Sequence, residues 1–216
     1  MKAGYPFYSC SNEAFCSDTT YRSQAWSADL ICGKQVSVTV GSSKDYRFNV
    51  FPIEMQHTLR EFAASGGNIL ISGAYIATDV WDSIYPVQAD STYKADTKKF
   101  VREVLGYKWV RNNGGRLGQV RLTRSERMGT LPSGSWEFHN EINSGCYSIE
   151  CPDAIAPASA RTGSTFMRYA DTKLSAGVCH DGSGYRTVSL GFPVETLKNE
   201  ADIDSIISLT LEFFRK

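Results

Sequence analysis

The chain has 216 residues, 42% of them apolar, with 23 basic and 23 acidic side chains. That length and apolar share suit one large domain with a real core, or one domain carrying an insertion. Balanced charge argues against a bulk electrostatic nucleic-acid binder, which needs a basic excess to displace counterions, and no apolar run reaches the roughly 18 residues of a membrane span.

The opening residues, MKAGYPFYSC, lack the charged end and apolar core of an export signal. Tyr5 to Cys10 is short, aromatic and apolar, and predicts an early strand that Ser11-Asn12-Glu13 breaks. Tyr21 to Cys32 predicts a helix, with Ala25, Ala28 and Cys32 on one side and Gly33 as a stop. Val36, Val38 and Val40 alternate with polar residues, as in a short strand. A clearer helix begins at Pro52, whose missing N–H suits a first turn. Met55, Leu59, Phe62 and Ala63 share one face of it, and Gly66-Gly67 ends it. Ile69-Leu70-Ile71 follows at once, apolar without alternation, as in a parallel strand buried on both faces.

Thr97 to Leu105 predicts another helix, with Phe100, Val101, Val104 and Leu105 as its stripe and Gly106 as its stop. The character then changes. YKWV, GQVRLT, SWEFH and CYSIEC are strand-like runs separated by turn residues, and Asn113-Gly114 is a hairpin signal. Pro152 to Gly163 reads as a loop. Strands are predicted at Ser164 to Tyr169, Ser175 to His180 and Tyr185 to Leu190, the last two joined by a hairpin loop at Asp181-Gly182-Ser183-Gly184. The chain closes with a helix capped by Asn199, with Asp202 near its start and Ile203, Ile206, Ile207, Thr210 and Phe214 along one face. The pattern is α/β at both ends with a β-rich middle, so one domain spans 1–216 with a strand-rich insertion at about 107–163.

The chemistry-bearing residues centre on Asn68 to Asp79, NILISGAYIATD. A strand ending in a sharp turn is where α/β hydrolytic enzymes expose a nucleophile between small residues. Here the turn reads Ser72-Gly73-Ala74-Tyr75-Ile76, which offers no serine or cysteine at its tip. Cys179 and His180 are adjacent, so on a strand they face opposite sides and make a poor nucleophile–base pair. Cys10 could pair with His57 or His180 across the fold, although packing or a disulfide is the simpler role for it. The six cysteines include the close pairs Cys10/Cys16 and Cys146/Cys151. Each pair could form a local disulfide in an oxidising compartment or stay as packed thiols. His139, Glu141, Cys146 and Cys151 lack the Cys-x-x-Cys spacing of a zinc deaminase, so no metal and no cofactor is expected. Tyr75, Trp81, Tyr85, Tyr93, Tyr107 and Trp109 form an aromatic-rich region that could face sugar rings or pack as core and rim.

Two stretches, FPIEMQHTLREFAASGGNILISGAYIATDVWD and FMRYADTKLSAGVCHDGSGYRTVSLGFPVETL, together resemble a domain of large secreted bacterial proteins described as xanthan lyase-like. SCSNEAF and VREVLGYKWV extend the resemblance over most of the chain. That domain is similar to class I glutamine amidotransferases. The resemblance implies a three-layer flavodoxin-like sheet, export to the periplasm or cell surface, and a Cys-His-Glu triad. In this sequence the elbow is Gly73-Ala74-Tyr75, without Cys, and Ser189-Leu190-Gly191-Phe192-Pro193-Val194-Glu195 lacks the His, keeping only Glu195. The expected function is therefore a binding or accessory module of an exported polysaccharide-related protein. Ser72, Gly73, Ala74, Tyr75, Gly191 and Phe192 would line its cleft, and polysaccharide or neighbouring domains would be its partners. A hydrolase or lyase using Tyr75, Asp79 and Glu195 is the alternative, and a structural spacer is the third.

Overall fold

The computed structural model describes residues 9–31, 49–81, 91–129, 131–140, 149 and 151–216. The strands predicted at Tyr5 to Cys10 and at Val36 to Val40, the CYSIEC run, Tyr85 and the possible Cys146 bridge lie wholly or mostly outside the described residues. Cys10, Cys16, Cys151 and Cys179 are free thiols.

Two short helices open the described chain, α1 (Asn12–Ser17) and α2 (Thr19–Arg22), followed by strand β1 (Ser27–Ile31). The helix predicted across Tyr21 to Cys32 is thus corrected to a helical turn and a strand. Ala28 and Leu30 face the core together, a period of two, and β1 pairs in parallel with β2 (Asn68–Ser72). The helix-like spacing of Ala25 and Ala28 yields to that ladder, since tertiary pairing overrides weak local propensity.

Helix α3 (Ile53–Ala64) lies between them, with Pro52 at its N-cap and Gly66 left-handed at φ +88 beyond its end. Its Met55, Leu59, Phe62 and Ala63 are buried, as predicted from their spacing. Every residue of β2 is buried. Helices α4 (Thr78–Trp81) and α5 (Ser91–Phe100) follow, and α5 runs into a π-helical turn, Val101–Leu105. The predicted helix at Thr97 to Leu105 is therefore the end of a longer one. Gly106 closes it at φ +76, and only glycine fits, because a Cβ there would stand 2.1 Å from the His180 ring. Carbonyls left open by the π-turn are met from a distant strand hairpin: Thr187 Oγ1 donates to Leu105 O at 2.7 Å and Tyr185 Oη to Val104 O at 3.1 Å.

The remaining strands are β3 (Tyr107–Arg111), β4 (Gln119–Leu122), β5 (Ser135–Glu137), β6 (Ala154–Pro157), β7 (Gly163–Tyr169), β8 (Ser175–Asp181) and β9 (Arg186–Leu190). Five of them join β1 and β2 in a seven-stranded sheet of order β1-β2-β9-β8-β7-β4-β5, and β3 and β6 form a separate ribbon. The three strands β1, β2 and β9 run parallel, and every other pairing is antiparallel. The architecture is mixed α/β with a mostly antiparallel sheet.

Two readings of the middle are corrected. Asn113-Gly114 is not a hairpin turn, because β3 pairs with β6 while β4 joins the main sheet beside β7. Gly114 is there for close approach: a Cβ would meet the Tyr169 ring at 2.4 Å and Ala154 N at 2.8 Å. Pro152 to Gly163 is not all loop, since β6 lies inside it. The predicted β8–β9 hairpin is present, with Asp181 opposite Arg186.

Alternation along β2 separates two cores. Ile69 and Ile71 pack with α3, Phe100 and the π-turn, whereas Leu70 packs with Val188, Leu190 and the last helix, α6 (Glu200–Phe214). Asn199 caps α6 by accepting Ala201 N–H at 3.0 Å. Asn199→Ala should cost about 1 kcal/mol, read as a lower denaturant midpoint at unchanged slope.

Candidate functional site

The parallel strands place their C-terminal ends together, the usual position of a binding crevice in an α/β sheet. There β2 ends at Ser72, and Gly73 N donates to Leu190 O at 3.2 Å. This bond sets Gly73, Ala74 and Tyr75 beside Gly191 and Phe192, so the predicted lining residues do come together. They do not form one open cleft. Ser72, Gly73, Gly191 and Phe192 are buried, and Ala74 and Tyr75 are half-buried. Ala74 packs on the core side of Phe192, while the Tyr75 ring packs against the opposite cluster.

Tyr75 has φ +63, in the left-handed region that a bulky side chain rarely enters. The strained residue of the strand–turn–helix unit is therefore Tyr75, at the tip of the turn. Asp79 and Glu195 part company around it. Asp79 Oδ2 accepts Val50 N–H at 2.9 Å, toward the segment entering α3. Glu195 sits on a 3-10 turn, Val194–Thr196, and its charge acts on Asp29 of β1.

Asp29 is an exposed residue by surface area, although protein crowds its carboxyl. That crowding is the main cause of a carboxyl pKa raised to about 6, and the Glu195 charge pushes the same way. By register, Asp29 shares a sheet face with Leu70 and Ser72. The Ser72 hydroxyl is buried with no hydrogen-bond partner among the described residues. The sequence does not mark Asp29 as a site residue, because the stretch around it has helix-like spacing.

A second carboxylate missing from that set organises the turn itself. Asp153, fully buried, accepts the backbone N–H groups of Ala77 and Thr78 at 2.7 and 2.9 Å, and the Thr78 hydroxyl as well. Its own backbone N donates to Gly191 O at 2.7 Å, and its carbonyl accepts from Tyr169 Oη at 2.7 Å. Desolvation raises the Asp153 pKa to about 6, against the hydrogen bonds from Thr78 and Ala77. The N–H groups that would stabilise an oxyanion after the turn are thus already taken by an internal carboxylate.

The aromatics serve the same turn. Buried Tyr107 donates its hydroxyl to Ile76 O at 2.9 Å, and Trp109 Nε1 donates to Thr78 Oγ1 at 3.0 Å. Trp81 is half-buried beneath the Arg102 guanidinium. Tyr107, Trp109 and Trp81 are pinned in place, and these three do not form an exposed row. Cys179 and His180 lie on opposite faces of β8. Cys179 sits 3.2 Å from Ser164 Oγ, and His180 stands against Gly106 and Tyr185. Among the described residues no group of three His, Cys, Asp or Glu side chains is placed to hold a metal, and no helix is long and apolar enough to cross a membrane.

No family model matches the chain, and no curated protein matches it. Solved structures similar to part of it include a beta-galactosidase from Rahnella sp. R3, with 12% identity, 73% of this chain and 20% of that chain covered, and a TM-score of 0.44. Another is a beta-galactosidase from Bacillus circulans sp. alkalophilus, with 15% identity, 85% and 22% covered, and a TM-score of 0.46. A third is the exo-beta-1,4-mannosidase Op5Man5 from Opitutaceae bacterium strain TAV5, with 15% identity, 76% and 23% covered, and a TM-score of 0.37. The chain spans about a fifth of the length of these proteins. Likeness at this level assigns no activity.

Proposed function

We propose that the chain is an amidotransferase-like domain that has lost its catalytic groups and serves as a binding or accessory module of an exported, polysaccharide-related protein. The observation that carries this reading is the turn after β2. Its strained position, φ +63, holds Tyr75, a phenol half-buried against the core, where a nucleophile would need to be exposed. Asp153 fills the adjacent N–H groups, so neither half of an acyl-transfer site is available. Packing on both faces of β2, by α3 and α5 on one side and α6 on the other, supports a three-layer flavodoxin-like core. The export setting rests on the sequence resemblance alone.

A hydrolase or lyase reading draws on one specific observation, the carboxylates of Asp29 in the middle of β1 and Glu195 on the turn beyond β9, the first of them with a raised pKa. Calorimetric titration of the domain against a panel of polysaccharides tests the binding reading. At least one should bind, and Tyr75→Ala should weaken it by about tenfold through loss of the ordered turn. If no glycan binds, the module is not a glycan binder.

A further inference from the structure

Strands β4 and β7 pair so that Arg121 stands directly opposite Arg168. Both side chains are exposed, on the face away from Val120 and Tyr169, which are buried. Directly opposed residues on adjacent antiparallel strands have Cβ atoms about 4.5–5.5 Å apart, and like charges at that spacing repel. Neither arginine takes part in an ion pair among the described residues. Arg168 Nη1 donates to Lys173 O at 2.9 Å, which orients the guanidinium without neutralising it.

The nearby acids are engaged elsewhere. Glu137, one strand over and diagonal to Arg121, meets Lys198 at 3.6 Å and Gln119 Nε2 at 3.2 Å. Asp171, in the turn after β7, accepts the backbone N–H groups of Arg116 and Thr172, both at 2.8 Å. Against a desolvation that alone would raise it, backbone hydrogen bonds together hold its pKa below the usual carboxylate range, so it stays a satisfied anion. On the β5 side, the residue opposite Arg121 is the small, exposed Ser135, which leaves the pair open to solvent.

We propose that Arg121 and Arg168 form a subsite for the carboxylate groups of an acidic polysaccharide. An anion between the two forks relieves the repulsion, and each planar guanidinium can take a carboxylate in bidentate fashion. An extended chain laid over the solvent face of β4 and β7 would bring its carboxylates to the pair in turn. Nucleic acid is the poorer fit, since the chain carries no net charge and a phosphate backbone asks for a broad basic surface. The inference rests on the binding-module reading and adds to it a location and a ligand class.

The test is isothermal titration of the wild-type domain, Arg121→Gln, Arg168→Gln and the double variant with polygalacturonate, neutral dextran and single-stranded RNA, with thermal melts of each protein. Polygalacturonate should bind and dextran should not. Each single change should weaken binding by about tenfold and added salt should weaken it further. Without ligand the variants should melt no lower than wild type, because a repulsion has been removed; a purely structural role for the arginines would lower the melt. Unchanged binding in the double variant, equal binding of dextran, or tighter binding of RNA would overturn the subsite. If only neutral glycans bind, the module reading stands and the subsite falls. If no polymer binds, the module reading falls, and free galacturonate decides the subsite. A melt raised by galacturonate in wild type but not in the double variant supports it, and no rise rejects it.

Discussion

Asp153→Ala is expected to destabilise the domain by about 2–4 kcal/mol near neutral pH. The substitution strands three buried donors, the N–H groups of Ala77 and Thr78 and the Thr78 hydroxyl. Each orphaned donor costs roughly 1–3 kcal/mol, and removing a desolvated carboxylate returns part of that sum. The pH dependence gives a sharper signature. The Asp153 pKa rises from 3.8 to about 6 on folding. Between those values the native state holds a proton that the unfolded chain releases, so this group's contribution falls as pH rises from about 4 to 6 and levels off above. The difference corresponds to about 3 kcal/mol. Asp153→Asn keeps an acceptor and cannot titrate. Urea unfolding across this window should therefore show wild type losing stability relative to Asp153→Asn as pH rises, and the alanine variant should be most damaging at the acid end. Parallel curves for wild type and Asp153→Asn would mean the carboxyl titrates as it does in the unfolded chain.

Gly191→Ala is expected to cost about 3 kcal/mol or more, or to prevent folding. A Cβ at this position would lie 2.0 Å from Asp153 O and 3.1 Å from Tyr169 Oη. The backbone cannot step aside without breaking the bond from Asp153 N to Gly191 O. Both substitutions strike the junction that ties the turn after β2 to the end of β9. The loss in the double variant should fall short of the sum of the single losses, since either change alone already frees the junction. Full additivity would place the two effects in independent parts of the fold.

The parts of this structure legible in the sequence are those fixed by near neighbours. Ile69-Leu70-Ile71 announces a strand buried on both faces because no polar residue interrupts it. Asn199 and the spacing of Ile206, Thr210 and Phe214 announce α6. The turn at Gly73-Ala74-Tyr75 was visible as a turn, and its missing nucleophile was visible too. Its strain was not, because a tyrosine gives no hint of positive φ as glycine or asparagine would. What escaped was set by distant partners. Asp153 lies 75 residues from Thr78 in the sequence, in a segment read as loop. Asp29 was hidden when the alanines around it suggested a helix, whereas the parallel partner that makes β1 a strand arrives some forty residues later, at Asn68–Ser72. The hairpin expected at Asn113-Gly114 failed for the same reason: Gly114 answers to the Tyr169 ring, far along the chain.

On the proposed reading, the scaffold binds polysaccharide and does not turn it over. That reading is tested most directly by incubating the purified domain with glutamine and with acidic and neutral polysaccharides, following ammonia, reducing ends and unsaturated uronate. No product above a heat-denatured control is expected for any of them, under conditions in which polysaccharide binding is detected. Turnover of any substrate that is abolished by Glu195→Gln, Asp29→Asn or Tyr75→Phe would overturn that reading and would make Asp29 and Glu195 part of an active site.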